Sequence, residues 1–307
     1  MRISISRKLK SLCMAACVTL CHFGLSQTVF GENRSIPYWQ DIQTVCVNRE
    51  EPRSAFMTYS NKEQAMTGKY EASPYYRLLN GTWKFYYVDS YKQLPGNITD
   101  ANIDLSTWKD IKVPGNWEMQ GFGTAIYTNI PYEFQPKNPQ PPLLPETNPV
   151  GIYRRDIEIP ADWSNRNIYL HIAGAKSGCY VYLNGKEVGY NEDSKNPAEY
   201  LINDYIKEGK NVLTLKIFRW STGSYLECQD FWRLSGIERD VFIYSQPKAS
   251  ISDFRITSTL DDTYKNGIFR LAVTFIPSVY RKCISCYCHI IIFSGIFDLR
   301  IFCQSSH

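Results

Sequence analysis

The sequence predicts an all-β protein built on a β-sandwich or jelly roll. Short runs rich in Trp, Tyr, Phe, Ile and Val alternate apolar with polar residues, as half-buried strands do. Gly, Pro and Asn separate these runs, and helical periodicity is weak throughout the chain. Together these observations favour many short strands over helices.

The strand candidates follow one another along the middle of the chain. They are 81–88, 153–159, 167–172, 179–183, 186–190, 212–220 and 240–244. Asn184-Gly185 joins two of them and favours a type I′ hairpin, because both central residues of that turn need positive φ. The proline-dense stretch 136–149 predicts a stiff loop, since proline cannot donate to the interior of a sheet.

A second β pattern begins near residue 252. The runs 254–257 and 269–273 look like the first two strands of a further domain. The composition then changes to Ile, Cys, Ser and Phe over 276–307, where no third strand is predicted. The abrupt change leads us to expect an unrelated tail, translated out of frame after a frameshift near Phe275.

Two alternatives for this tail stay open. Thiolate and imidazole groups at these spacings could close a zinc site, with Cys283, Cys286, Cys288, His289 and Cys303 as candidate ligands. The apolar run 290–303 could enter a membrane, but it is too short to span one and contains Asp298 and Arg300.

Composition limits the function classes. The 307 residues carry a net charge of +4 without a long basic run, which argues against a nucleic-acid partner. The 22 Tyr and 7 Trp suit sugar binding as well as core packing. Cys46, Cys179 and Cys228 are too few and too scattered for a disulfide framework.

The N-terminus predicts export. Four basic residues precede a mostly apolar stretch over 11–25, which is too short to span a membrane, and small residues follow near Ser26. We therefore expect a signal peptide over 1–26 and a secreted or periplasmic protein. A lipoprotein signal ending at Cys17 or Cys21 is the less favoured alternative.

Several runs, in order, resemble the glycoside hydrolase family 2 β-galactosidases. They are VPGNWEMQG (113–121), IYTN (126–129), NPVGIYR (148–154), YLNGKEVGY (182–190) and RWSTGSYLECQDFWRLSGIERDV (219–241). The opening WQD (39–41) with NRE (48–50) and Pro52 also looks like the start of that family. Shared strand patterning alone would not reproduce such strings.

The resemblance implies an architecture and an activity. It implies a galactose-binding-like jelly-roll β-sandwich over 35–247, then a truncated immunoglobulin-like β-sandwich beginning at 248–275. A TIM barrel, which takes about 250 residues, would carry both catalytic glutamates and is absent from this sequence. We therefore expect an N-terminal fragment of a retaining enzyme that hydrolyses terminal non-reducing β-D-galactosides, itself inactive and without catalytic residues.

The same resemblance identifies candidate site residues. Asn129 is similar to an asparagine that hydrogen-bonds the galactosyl group, and Asp230 to an aspartate that contacts the sugar and a sodium ion. Without the resemblance, an Asx-turn at Asn129 and a salt bridge from Asp230 to Arg233 or Arg239 would be preferred.

Metal sites and catalytic carboxylates receive less support. The resemblance implies sodium and magnesium for the full-length enzyme, but no cofactor held by this chain alone. Thr222 and Glu192 depart from the family's metal-contacting residues, which puts the magnesium site in doubt. Glu192 and Asp193 are not expected to act as a catalytic pair, because adjacent strand residues face opposite ways.

Two other functions remain as alternatives. The domain could be a free-standing carbohydrate-binding module, or it could complement a separate barrel-containing chain. The expected partner is a β-galactoside or a related glycan, with β-glucuronides and β-mannosides also open. Homo-oligomerisation of the full-length enzyme is not decided by the sequence.

Overall fold

The computed structural model describes residues 36–135, 137–276, 284–293 and 296–305. The chain divides into two units, Met1–Ile36 and Pro37–His307, and all the elements below belong to the second. The predicted signal peptide 1–26, with Cys17 and Cys21, lies outside the described residues. Among the residues that the structure describes, no helix is long and apolar enough to cross a membrane.

The first ten strands run from the beginning of the sandwich to the hairpin. They are β1 (Cys46–Val47), β2 (Tyr76–Leu78), β3 (Gly81–Val88), β4 (Lys109–Val113), β5 (Gly115–Asn116), β6 (Ile126–Thr128), β7 (Val150–Ile159), β8 (Arg166–Ile172), β9 (Ala175–Lys176) and β10 (Gly178–Leu183).

The second ten strands complete the sandwich and form a further sheet. They are β11 (Lys186–Asn191), β12 (Ala198–Leu201), β13 (Gly209–Phe218), β14 (Phe231–Arg233), β15 (Gly236–Ile237), β16 (Val241–Pro247), β17 (Ser250–Leu260), β18 (Gly267–Ile276), β19 (Ile284–Phe293) and β20 (Ile296–Ser305).

The helices of the described residues are short. The α-helices are α1 (Lys62–Met66) and α2 (Ser224–Glu227), and the 3-10 turns are Tyr38–Gln40, Tyr70–Ala72, Tyr91–Gln93, Glu118–Gln120 and Ala161–Trp163. Asn61 caps α1, because its side chain accepts a hydrogen bond from the backbone N–H of Gln64.

Two antiparallel sheets form a β-sandwich, which confirms the predicted class. One sheet has the order β1-β11-β10-β13-β7-β3-β4, and the other has the order β12-β8-β16-β2. A single apolar cluster joins them, with Phe85 and Tyr153 from the larger sheet packed with Leu170 and Ile243 from the smaller. Alternation along each strand places these side chains between the sheets, and two further apolar clusters lie on the opposite faces, around Tyr180 on the larger sheet and Phe242 on the smaller. The finer jelly-roll assignment stays a prediction.

The hairpin between β10 and β11 has the predicted turn. Asn184 and Gly185 have φ of 53° and 82°, so both central residues lie in the left-handed region. Leu183 pairs with Lys186 directly across the turn. A type I′ turn needs this backbone, which is why Asn-Gly is favoured there.

A separate sheet with the order β17-β18-β19-β20 follows the sandwich. The predicted runs 254–257 and 269–273 lie inside β17 and β18. The expectation of no third strand after residue 276 is wrong, because β19 pairs with β18 and β20 pairs with β19. Ile, Phe and Tyr favour an extended backbone even without recognisable turn residues between the runs.

Two interpretations of this tail are not decided by the fold. The frameshift concerns the gene and stays a prediction. The zinc ligands considered above, Cys283, Cys286, Cys288, His289 and Cys303, lie outside the residues whose side chains are described. Cys46, Cys179 and Cys228 are free thiols in the structure.

Candidate functional site

The two predicted substrate-binding residues lie at one end of a two-stranded ribbon. Strands β6 and β14 pair antiparallel, with Thr128 opposite Phe231. Asn129 directly follows β6 and Asp230 directly precedes β14, so both lie beside that pair at one end of the ribbon. Both residues are exposed. The fold thus brings together two side chains that lie about a hundred residues apart in the sequence.

Asp230 has one hydrogen-bond partner on the ribbon. The Tyr127 hydroxyl donates to its Oδ1 at 2.9 Å, and this bond together with the negative charge raises the pKa of Tyr127. The alternative salt bridges are absent from the described part of the chain, since Arg233 pairs with Glu133 and Arg239 donates to a backbone carbonyl. The carboxylate therefore stays available for a ligand.

Asn129 is also available. Among the described residues, its side chain makes no hydrogen bond, so the Asx-turn interpretation is wrong. The local turn is instead made by Thr128, whose hydroxyl accepts from the backbone N–H of Ile130 at 3.2 Å. An exposed amide offers two donors and an acceptor to a ligand hydroxyl.

Arg233 fixes the backbone on both sides of the site. Its Nη2 donates to the carbonyl of Ile130 at 3.0 Å, immediately after Asn129. Its Nη1 donates to the carbonyl of Gln229, immediately before Asp230. A planar guanidinium holds several acceptors in fixed directions. Arg233 therefore sets the spacing between the end of β6 and the start of β14.

Glu133 holds that guanidinium in place. Its Oε2 lies 3.1 Å from Arg233 Nε, and the two side chains are 7% and 3% exposed. Its Oε1 accepts from the indole N–H of Trp220 at 2.8 Å. The thiol of Cys228 lies 3.6 Å from Oε2, and burial, followed by the charge of Glu133, raises the Cys228 pKa to about 12. This cysteine is therefore a neutral, poorly reactive thiol.

The long loop between β6 and β7 packs against α2. The Tyr225 hydroxyl donates to Gln135 at 2.6 Å, and the Phe134 ring packs on those of Tyr225 and Trp220. The described residues of 129–149 form neither strand nor helix, as the prolines predict. Aromatic packing and side-chain hydrogen bonds hold this loop in place of a sheet ladder.

Aromatic side chains surround the ribbon end on the surface. Tyr127, Phe231 and Trp232 are each about half exposed. The Tyr127 and Trp232 rings lie 5.5 Å apart, and Lys195 Nζ lies 5.6 Å from the centre of the Phe231 ring. Such faces suit the apolar C–H side of a sugar, whose hydroxyls would reach the neighbouring polar groups.

Glu192 belongs to the interior and does not pair with Asp193. The Thr222 hydroxyl donates to its Oε1 at 2.7 Å and the Tyr190 hydroxyl to its Oε2 at 2.9 Å. Burial raises the pKa of Glu192, and these hydrogen bonds oppose the rise. Asp193 instead lies 3.8 Å from Arg49 at the surface. Each Glu192 oxygen thus accepts a hydrogen bond from a neighbouring hydroxyl, and the doubt about a magnesium site stays a prediction.

No metal site is complete within the described residues, where no three His, Cys, Asp or Glu side chains could hold one ion. Asp230 offers hard oxygen ligands, and sodium usually needs several. Asp230 would supply one carboxylate ligand of such a site.

Comparison with known proteins identifies the class. The family model described as "Glycosyl hydrolases family 2, sugar binding domain" matches residues 76–247, which is more than half of the chain. The β-sandwich therefore corresponds to the sugar-binding domain that this family model describes. The chain belongs to glycoside hydrolase family 2.

The relatives in sequence are β-galactosidases. The chain is 37% identical over 234 residues to that of Priestia megaterium, covering 75% of this chain and 23% of the relative. It is 36% identical over 229 residues to that of Psychromonas ingrahamii, covering 75% and 22%. The chain thus spans about a quarter of the length of these relatives.

The fold is shared with a solved structure of low identity. A Bacteroides uniformis β-glucuronidase superimposes with a TM-score of 0.53 at 17% identity, over 75% of this chain and 26% of that one. At this identity the likeness concerns the fold alone.

Sequence reasoning missed the residues that position the site. Arg233 was considered only as a partner of Asp230, and neither Glu133 nor Tyr127 was singled out. Their contacts join segments about a hundred residues apart, and no local spacing predicts them.

Proposed function

We propose that this chain is the sugar-binding part of a retaining β-galactosidase that hydrolyses terminal non-reducing β-D-galactosides. The observation that carries the proposal is the placement of Asn129 and Asp230 at the same end of the ribbon, beside exposed aromatic rings. The named activity of the relatives in sequence supports galactosides over other glycosides. The basic and apolar N-terminal segment supports a secreted or periplasmic enzyme.

Each side chain has a defined task. The Asn129 amide donates to one sugar hydroxyl and accepts from another. The Asp230 carboxylate accepts from a hydroxyl while Tyr127 holds its other oxygen, and it contributes to sodium binding once further ligands are present. Arg233 keeps the end of β6 and the start of β14 at a constant distance, which limits the conformational entropy lost when a sugar binds.

Catalysis itself requires a second group of residues. A retaining glycosidase uses two carboxyl groups about 5 Å apart. The family resemblance assigns both carboxyl groups to a TIM barrel. We therefore expect that the 307-residue chain by itself does not cleave glycosides.

A graft tests this proposal. Residues 36–247 would replace the corresponding sugar-binding domain of the Priestia megaterium β-galactosidase, and hydrolysis of nitrophenyl β-galactoside and β-glucuronide would be measured. We expect the galactoside to be cleaved in clear preference. A folded graft that cleaves neither substrate would contradict the proposal.

A free-standing carbohydrate-binding module is the second candidate, and the half-exposed Trp232 and Phe231 rings favour it. Calorimetric titration of the 307-residue chain with galactosides distinguishes a free-standing module from the sugar-binding part of a hydrolase. Saturable heat at millimolar sugar that is lost in Trp232→Ala supports a module. The absence of heat, together with an active graft, supports the first proposal.

A further inference from the structure

A cavity of about 450 Å³ lies on the outer face of the smaller sandwich sheet. Residues 50–57, called the strap below, form one wall, and β8, β12 and β16 supply the opposite wall. The volume lies within the range of small-molecule sites, about 300–1,000 Å³. The cavity shares no lining residue with the Asn129–Asp230 ribbon end.

A hydrogen-bonded network fixes the polar side of this cavity. Glu199 on β12 accepts from His171 Nδ1 at 2.8 Å and from Arg53 Nε and Nη2 at 2.8 and 3.0 Å. Arg53 Nη2 also donates to the Tyr244 hydroxyl at 2.6 Å. Burial alone would raise the Glu199 pKa, but the hydrogen bonds and charges of His171 and Arg53 outweigh it and lower that pKa.

This network also selects the tautomer of His171. A carboxylate only accepts, so Nδ1 carries the proton and Nε2 of the neutral ring is an acceptor. Within the described part of the chain, Nε2 has no hydrogen-bond partner. The ring stacks on Phe242 with centroids 4.2 Å apart and planes within 14°, which keeps its orientation fixed.

The strap itself is anchored at two places. Besides the Arg53 contacts, the backbone N–H of Ser54 donates to Asp253 at 2.8 Å, and its hydroxyl donates to the carbonyl of Phe254 at 2.7 Å. The cavity is therefore bounded by fixed groups on each side, and a ligand would find it largely preformed.

The remaining lining of the cavity consists of an apolar group of side chains and an acidic group at the rim. Phe56, Met57 and Tyr70 add apolar surface to that of Phe242, and the rim carries Glu50, Glu51 and Asp193. The single guanidinium of the cavity is already bound to Glu199. The exposed carboxylate of Glu51 disfavours anions at the rim, and the apolar surface suits the C–H face of a pyranose ring.

We propose that this cavity binds a neutral sugar unit of a glycan, with His171 Nε2 accepting from a sugar hydroxyl. The inference goes beyond the proposed hydrolase function and does not depend on it. Neutral hexoses bind, and a uronate of the same size is rejected by the exposed carboxylate of Glu51.

Ring-proton NMR of His171 in the full chain tests this proposal, with the signal assigned by His171→Phe. That variant keeps an aromatic ring on Phe242, and Glu199 keeps its pair of bonds from Arg53. We expect galactose or glucose to shift the signal saturably at millimolar concentration and glucuronate to leave it unchanged. Calorimetry should show at least tenfold weaker hexose binding by His171→Phe.

Two further variants make the outcome decisive. Glu51→Gln removes an exposed rim charge and should admit glucuronate several-fold more readily without weakening hexose binding, even if His171→Phe does not fold. Asp230→Asn should leave the His171 shift intact. The absence of a saturable shift with any neutral hexose, or equal shifts with glucuronate, would overturn the proposal. Loss of the shift in Asp230→Asn would assign the sugar to the ribbon end instead, which overturns this proposal and leaves the hydrolase function standing.

Discussion

The guanidinium of Arg233 and the carboxylate of Glu133 form an ion pair of 3.1 Å that is almost closed to solvent. The same guanidinium donates to the carbonyls of Ile130 and Gln229, which adjoin Asn129 and Asp230 respectively. A buried pair with these extra hydrogen bonds is well satisfied, whereas either partner alone would be an uncompensated charge. The candidate site therefore depends on residues that do not themselves face the ligand.

Arg233→Met should destabilise the domain strongly. It leaves Glu133 buried without its cation, a change that costs about 3–5 kcal/mol of unfolding free energy. Arg233→Lys keeps the charge but loses the planar fork. It should therefore lose less unfolding free energy than Arg233→Met. Urea unfolding followed by circular dichroism measures both.

Lys84→Ala provides the matched control for that series. Lys84 pairs with Asp110 at 2.8 Å, but both side chains are about half exposed. Solvent screens such a pair, so the unfolding free energy should not change beyond error. Equal losses for Lys84→Ala and Arg233→Met would contradict the role given to burial.

The hydrogen bond to Asp230 should be visible in the titration of Tyr127. Removing the carboxylate in Asp230→Ala removes both the bond and the charge that favour the protonated phenol. The pKa of Tyr127 should then fall towards its ordinary value of 10.0. NMR with labelled tyrosine rings measures this, and Tyr59, whose pKa is raised first by burial, serves as an internal control. An unchanged Tyr127 titration would show that the bond does not form in solution.

Two buried glutamates should give opposite dependences of stability on pH. The folded pKa of Glu199 is below the ordinary 4.5, so its contribution is complete above pH 4.5 and is lost as pH falls through the folded pKa. The folded pKa of Glu192 is raised above 4.5 by burial, so its contribution is complete below 4.5 and is lost as pH rises through the folded pKa.

Gln variants separate these two effects. The difference in unfolding free energy between the parent and Glu199→Gln should shrink as the solution is acidified below pH 4.5. The unfolding free energy of the parent should instead fall relative to that of Glu192→Gln as the pH is raised above 4.5, because only the parent then acquires a buried charge. Urea unfolding across the acid range measures both, and parallel curves for the two variants would refute the assigned directions.

Gly151 allows close packing between β7 and the segment after β5. A Cβ at this position would lie 2.6 Å from the Trp117 ring and 2.7 Å from Phe85. Both rings are fully buried, so Gly151→Ala should cost about 1–3 kcal/mol by overpacking. Gly96→Ala is the control, since nothing lies within 4 Å of its added Cβ. Thermal unfolding compares the two, and a neutral Gly151→Ala would show that the rings can move apart.

The sandwich was predictable because its signals are local. Alternation in β7 and β8 and the Asn184-Gly185 turn each depend on a few consecutive residues. The ribbon of β6 and β14 was not predicted, since each strand has three residues and is defined by its partner. The strands β19 and β20 were missed because turn residues were required between them, although the composition favours extended structure.

The candidate site was predictable only through family resemblance. That resemblance identified Asn129 and Asp230, whereas local polar chemistry alone favoured a turn and a salt bridge. Neither local interpretation agrees with the structure, because Arg233 is already bound to Glu133. Long-range pairing of this kind leaves no periodic signal in the sequence.

If Asn129 and Asp230 contact one galactosyl group together, their effects on its hydrolysis are coupled. A double-mutant cycle in the Priestia megaterium graft, with Asn129→Ala and Asp230→Asn, measures this coupling through kcat/KM for a β-galactoside. Each single change should lower kcat/KM about 10- to 100-fold, as expected for hydrogen bonds to or from a charged or buried group. The double variant should lose clearly less than the product of the two, because the residues act on the same ligand. Multiplicative losses, or single variants as active as the parent graft, would contradict the account.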